Sequence, residues 1–185
     1  MGDQMETLRG QLLVASPGLG DPNFHRTVVL ITEHNDDGAM GVVLNRPSTT
    51  TVEDAAPELE PLVGAHEDVF IGGPVQTDAL VVLADFLRPD DASVPVFGPV
   101  GFVGAESEPG QVEAAASRAR VFAGFAGWSP GQLEGEVERD DWILEPAVPD
   151  DVFTPEPDDL WSEVLERKGG EYALVARMPL DPSLN

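Results

Sequence analysis

The sequence predicts a single α+β domain, and three observations carry that expectation. Two apolar runs, residues 27–33 and 39–45, flank the turn-forming cluster Asn35-Asp36-Asp37-Gly38, which is the pattern of a β-hairpin. Further strand-like segments alternate with helix-start signals built from Ser, Thr and Pro. No internal repeat, long linker or composition break divides the 185 residues, a length that suits one domain with a sizeable core.

The hairpin is the strongest of these signals. Val, Ile and Thr dominate its first run, and branched side chains pack well on a pleated surface. Gly38 can supply the positive φ that a tight hairpin turn needs. Both runs are apolar on nearly every residue, so both faces are expected to be covered. Polar residues collect at the two ends. Glu33, His34 and Asn35 stand beside the turn, and Asp21, His25, Arg26, Asn45 and Arg46 stand at the opposite end.

The other elements follow in chain order. Residues 1–8 are polar and expected to be frayed, leaving a domain over residues 9–180. Residues 10–15 read as a strand stopped by Ser16-Pro17-Gly18. Asp21-Pro22-Asn23 is a turn, and Phe24 is expected to anchor that loop in the core. Arg46-Pro47 ends the second hairpin strand, because proline lacks an amide donor. Residues 50–62 read as a short polar helix, with Thr51 and Asp54 as its start signal and Pro57 and Pro61 limiting its length. Residues 69–71 are a short strand running into Gly72-Gly73-Pro74-Val75. The spacing there matches neither standard glycine-rich phosphate motif, and a glycine pair before proline is ordinary turn chemistry.

Residues 79–86 read as a strand, 87–94 as a polar loop and 96–105 as a glycine-rich strand region. Ala114, Ala115 and Ala116 favour a helix over 108–117. Residues 120–127 read as a buried strand whose Ala123, Gly124, Ala126 and Gly127 let another element approach closely. Trp128 then stands at a strand-to-helix corner. Its indole is expected to cover the core edge with one side reachable by solvent. Ser129 as cap, Pro130 at the first helical position and Gln132 at the third make a coherent helix start. Glu134, Glu136 and Glu138 mark that helix as solvent-facing. Residues 142–144 return as a strand. Residues 154–168 form a final helix with Leu160, Trp161, Val164 and Leu165 on one face, stopped at Gly169-Gly170. Residues 172–177 read as a last strand.

Composition excludes several functions. Asp plus Glu number 34 against 10 Lys plus Arg, a net charge of −24, which repels nucleic acid and anionic lipid surfaces. This charge reads as a solvated acidic surface or, in a sharper version, as a face for a basic partner. Lys168 is the only lysine. The chain has no cysteine, so disulfides, thiolate catalysis and cysteine-ligated metals are out. No basic and apolar leader opens the sequence, and no apolar run approaches the roughly 18 residues of a membrane helix. A cytoplasmic protein is expected.

Several segments, taken together and in order, resemble the AlgH/YqgE family of bacterial proteins. They are GQLLVASP (10–17), DPNFHRTVVLITEH (21–34), GAMGVVLNRP (38–47), VFIGGPV (69–75), FAGFAGWSPGQLEGEV (122–137) and DLWSEVL (159–165). The resemblance implies an α+β fold with a coiled, mostly antiparallel, partly barrel-like sheet surrounded by helices. It brings no established reaction and no cofactor. The family name refers to regulation of alginate synthesis, a role that the resemblance does not carry to this chain. Many members have Leu-His in the strand after the GGPV segment, where this chain has Leu83-Ala84, so any role of that histidine lapses here.

The best catalytic constellation would use Asp21, His25, Glu33 and His34, since His and carboxylate neighbours serve acid–base chemistry or bind zinc. No spaced metal signature is present, and a strand of six residues separates His25 from Glu33 and His34 by about 20 Å. His66 sits in a polar loop and reads as exposed. Ser16, Ser129 and Ser162 lack a nucleophile-elbow context. Arg46 is expected to bind a backbone carbonyl, or a small anion near Gly72 and Gly73. The candidate ligand-binding residues are therefore Arg46, Asn45, Gly72, Gly73, Glu33 and His34, with no metal. The candidate interaction surface is Trp128 and Gln132. The leading expectation is a non-enzymatic regulatory or interaction protein with a protein partner and no cofactor. The alternative is a small-ligand, anion-binding or hydrolase-like protein with its site near Arg46 and the Gly72-Gly73-Pro74 turn. An enzyme would show a pocket with two titratable groups within hydrogen-bond reach. An interaction protein would show an exposed apolar patch around Trp128.

Overall fold

Alternating side chains of the first three strands go to opposite faces of one sheet, and apolar layers cover both. The computed structural model describes residues 7–22, 24–64 and 66–179. Residues 1–6 of the expected frayed end, Asn23 of the expected turn and residue 180 lie outside them. The strands are β1 (Gln11–Ala15), β2 (Val28–Asn35), β3 (Gly38–Val43), β4 (Pro47–Thr51), β5 (Asp68–Ile71), β6 (Val75–Phe86), β7 (Val94–Phe97), β8 (Val100–Phe102), β9 (Ala116–Trp128) and β10 (Trp142–Pro146). They form a mixed, unclosed sheet in the order β10-β1-β2-β3-β9-β6-β8-β7, with β5 joining β9 and β4 joining β5. Only the β5 to β9 pairing is parallel among the described strands.

The helices are α1 (Val52–Ala55), α2 (Glu60–Val63), α3 (Pro109–Ala115), α4 (Gln132–Glu138), α5 (Pro149–Val152), α6 (Leu160–Lys168) and α7 (Glu171–Val175). On one face of the sheet, Leu12, Val14, Val28, Leu30 and Val42 pack with Leu160, Trp161, Val164 and Leu165 of α6. On the other, Leu13, Ala15, Val29, Ile31 and Val43 pack with Trp128, Trp142 and Leu133 of α4. This is the period-2 alternation of strands buried on both sides, as the unbroken apolar runs require. No described helix is long and apolar enough to cross a membrane.

β9 is the strand that joins the halves. Residues 116–125 pair with β6 along one edge. On the opposite edge β5 pairs at Phe122 and Ala123, and β3 pairs at Ala126, Gly127 and Trp128. Gly72 stitches this junction: its N–H donates to Ala123 O (2.8 Å) and its carbonyl accepts from Val43 N (2.8 Å). A Cβ on Gly72 would stand 2.3 Å from Gly124 O, and one on Gly73 would stand 2.1 Å from the Phe125 carbonyl carbon. The glycine pair is there because three backbones meet at contact distance.

Four segments differ from expectation. The helix expected over residues 50–62 begins as strand β4 and then breaks into α1, a 3₁₀ turn at Pro57–Leu59 and α2, because each proline restarts the chain. Thr51 does cap α1, accepting from Asp54 N at 3.3 Å. The strand expected over 172–177 is instead helix α7. Tyr172, Val175 and Ala176 share a helical face that packs on the α6 side of the core. The final helix starts as a 3₁₀ turn at Pro157–Asp159 and becomes α6 only at Leu160. The polar loop expected over 87–94 contains a 3₁₀ turn at Pro89–Asp91 and leads directly into β7. At the β10 edge, Lys168 Nζ donates to Leu144 O (2.7 Å) and Arg167 to Pro146 O (3.2 Å). These cations cover carbonyls that an open edge would offer to another strand.

Candidate functional site

The turn end of the β2 and β3 hairpin carries two cross-strand rows, one facing outward and one facing inward. The register aligns Glu33 with Met40 and Met40 with Gly127, while His34 aligns with Ala39 and Ala39 with Trp128. A β-bulge between Ile31 and Glu33 sets this phase. The extra residue, Thr32, is unpaired in the ladder and donates its hydroxyl to Met40 O. Past the bulge the parity of the strand switches. Glu33, Met40 and Gly127 are exposed, whereas His34, Ala39 and Trp128 are buried.

The inward row is held by α4. His34 has a side chain only 1% exposed. Its Nδ1 accepts from Leu8 N at 2.9 Å, which leaves the proton on Nε2, and Nε2 donates to Glu134 Oε1. The His34 hydrogen bond holds the Glu134 carboxyl below its usual range, against burial, which pushes the other way. Thr7 also donates to His34 O, so residues 7 and 8 of the expected frayed segment dock on this histidine. Trp128 is 7% exposed. Its ring stacks 6.4 Å from Phe24 and lies edge-on 6.3 Å from Trp142. Both indole N–H groups donate to Glu136 Oε1, Trp128 at 3.3 Å and Trp142 at 3.1 Å. Glu134 and Glu136 therefore face the core edge, and only Glu138 of the three expected solvent-facing glutamates is fully exposed. The Ser129 hydroxyl does not cap α4: Gly131, at φ +78°, occupies the cap position. Gln132 instead reaches back to accept from Ser129 N at 3.0 Å, tying the first residue of α4 to the turn before it.

The outward row floors an open cleft of about 600 Å³, lined by Glu33, Asp37, Met40, Val75, Gly127 and Pro130 among others. Met40 and Val75 are each 38% exposed. Gln132 is exposed but is not part of this lining.

At the other end of the hairpin, Asn45, Arg46, His25 and Arg26 come together. Asn45 Oδ1 accepts from Val28 N (3.0 Å) and its Nδ2 donates to Arg26 O (2.9 Å). Arg46 donates to His25 O at 3.0 Å. Burial lowers the Arg46 guanidinium from its ordinary value, and the charge of Asp21 partly offsets that. Arg26 lies 4.3 Å over the Trp161 ring and donates to Met178 O. The Gly72 amide is committed to Ala123, as described above. Arg46 and Gly72 are thus engaged with the chain itself, and Glu33 and His34 lie at the far end of β2 from Arg46. His66 is exposed.

The fold has counterparts among known proteins. The AlgH-like family model matches residues 12–173. The chain belongs to the AlgH-like family. A UPF0301 protein of Streptomyces avermitilis is 44% identical, with 98% of this chain and 97% of that protein covered. One of Mycobacteroides abscessus is 45% identical over 95% of this chain and 87% of its own. A crystal structure from Corynebacterium diphtheriae superposes with a TM-score of 0.86 at 32% identity, covering 95% of this chain and 94% of that one. The solution structure of the AlgH protein from Pseudomonas aeruginosa gives a TM-score of 0.73 at 30% identity, covering 97% and 98%.

In this AlgH-like chain the cleft offers carboxylates and apolar walls. Its nearest imidazole is turned away and bonded at both nitrogens. Among the described residues, no group of three His, Asp or Glu side chains is placed to hold a metal ion. Sequence reasoning singled out Glu33 and Trp128 as residues but grouped Glu33 with Arg46, which lies at the other end of the hairpin, and missed Met40, Val75 and Gly127 as cleft residues, and Glu134 and Glu136 as partners of the inward row. An exposed Met beside glycine in a strand was the only available signal for the first group. Nothing in a linear reading marks the bulge that sends Glu33 out and His34 in.

Proposed function

We propose that this AlgH-like protein is a non-enzymatic, cytoplasmic regulatory or interaction protein that docks a protein partner in the cleft at the β2 to β3 turn. One observation supports this reading above others. The outward row presents Met40 and Val75 to solvent, while the neighbouring imidazole, His34, is turned inward and bonded to Leu8 N and Glu134. Methionine adapts to varied partner surfaces and is enriched at interfaces. The charge of −24 disfavours nucleic acid as the direct partner. Any regulatory action then passes through another protein.

The test compares wild type with Met40→Glu/Val75→Glu by quantitative cross-linking in cells, with melting temperature as a control. The expected result is an unchanged melt and loss of the cross-links made through cleft residues. Identical cross-links in both proteins, or none through the cleft in wild type, would reject the reading. A mobility shift with DNA at micromolar protein and physiological salt would reject its second half.

A further inference from the structure

We infer that the occupant of the cleft is a basic, extended peptide segment that places an apolar side chain over Gly127 and a Lys or Arg against Glu33 and Asp37. This rests on the docking reading above and names the partner's chemistry. The floor supplies the apolar position. Gly127 is exposed, and no atom beyond its two chain neighbours lies within 4 Å of where its Cβ would stand. Met40, its cross-strand neighbour, and Val75 stand beside this notch as partly exposed walls. Glu33 continues the same row beyond Met40. Two strand spacings, about 10 Å, separate the notch from that carboxylate's strand. An extended segment spans that distance with an apolar residue and a long basic side chain two positions away.

Charge selects among occupants. The lining contains Glu33 and Asp37 and no Lys, Arg or His, within a chain of net charge −24. A polyphosphate or an acidic peptide is repelled. A second copy of this chain brings the same charge and the same carboxylates to the contact. A basic segment is steered in by the whole field and pairs at the rim.

The inference is tested on the full chain by fluorescence anisotropy at physiological ionic strength. The probes are labelled hexapeptides that place the two side chains two positions apart, Lys-Ser-Leu-Ser-Lys-Ser, Lys-Ser-Ser-Ser-Lys-Ser and Glu-Ser-Leu-Ser-Glu-Ser, called the Lys-Leu, Lys-Ser and Glu-Leu peptides. Gly127→Val fills the notch in a strand position with open space around it. Glu33→Gln/Asp37→Asn removes the rim charge. Asp158→Asn/Glu166→Gln, both exposed and outside the cleft, removes the same charge elsewhere. Melting curves confirm that each variant folds, and the rim variant keeps the test valid should Gly127→Val fail. The Lys-Leu peptide is expected to bind, with the Lys-Ser peptide at least about fivefold weaker and the Glu-Leu peptide not binding. The notch and rim variants should each weaken Lys-Leu binding about tenfold, and the control pair less than twofold. Equal weakening by rim and control pairs means diffuse attraction and overturns the inference. Absence of binding by wild type also overturns it. If the peptides fail while Met40→Glu/Val75→Glu still removes the cellular cross-links, the docking reading stands and only the basic partner falls.

Discussion

Trp128→Ala removes the ring that closes the inward row. Trp128 is 7% exposed, touches Phe24 and Trp142 and shares Glu136 with Trp142. Truncating a buried Trp costs about 3–5 kcal/mol. For a domain of this size each kcal/mol lowers the melting temperature by about 2–4 °C, so the expected fall is roughly 6–20 °C. Trp128→Phe keeps one ring but loses the N–H and the carbons of the five-membered ring. Glu136 still receives Trp142, so the loss is about 2–3 kcal/mol, or roughly 4–12 °C. Thermal melts followed by far-UV circular dichroism measure both. A fall of less than about 3 °C for Trp128→Ala would refute the anchoring role. If partner binding vanished in that same unaltered protein, Trp128 would belong to the docking surface instead.

Two further outcomes follow from the geometry. Gly73→Ala forces a Cβ onto the Phe125 carbonyl and should leave little soluble folded protein. Gly18→Ala, with nothing within 4 Å, should melt within about 2 °C of wild type, and equal melts for the two would sink the junction argument. The Glu134 carboxyl is held below its usual value by His34. Its contribution to stability is present above the unfolded pKa and disappears as pH falls through the folded one. Acidification from neutral pH through the carboxylate range should therefore cost wild type more melting temperature than Glu134→Gln, and parallel curves would contradict the link.

What could be read linearly was the part set by short-range rules. The hairpin was visible because residues 27–33 and 39–45 are matched in length and interrupted by an Asn-Asp-Asp-Gly turn, and β2 and β3 pair across that turn. Pro57 and Pro61 were read as limits on one helix rather than as breaks, because local propensity does not say which side of a proline wins. Residues 172–177 are six residues long, too few for strand and helix periods to separate, and packing on α6 decided the matter. The site was half legible for a related reason. Glu33 and Trp128 stand out as residue types, but their shared neighbourhood depends on β9 reaching β3 and on one unpaired Thr32. Neither the long-range pairing nor the bulge leaves a mark in adjacent residues.

The position of β9 also governs what a ribosome exposes. β3 ends at Val43, and the strand that covers its outer edge ends at Trp128. About 85 residues must be made in between, which at roughly 5–20 residues per second takes roughly 4–17 s. Throughout that interval β1, β2 and β3 are complete, apolar on both faces and bare along both edges, since β10, which covers β1, is made later still. A nascent chain in this condition is a substrate for chaperones and for its neighbours on the same message. Mutations that delay β9, such as those in α3 just before it, should therefore show as lost yield during synthesis even where the finished protein melts normally.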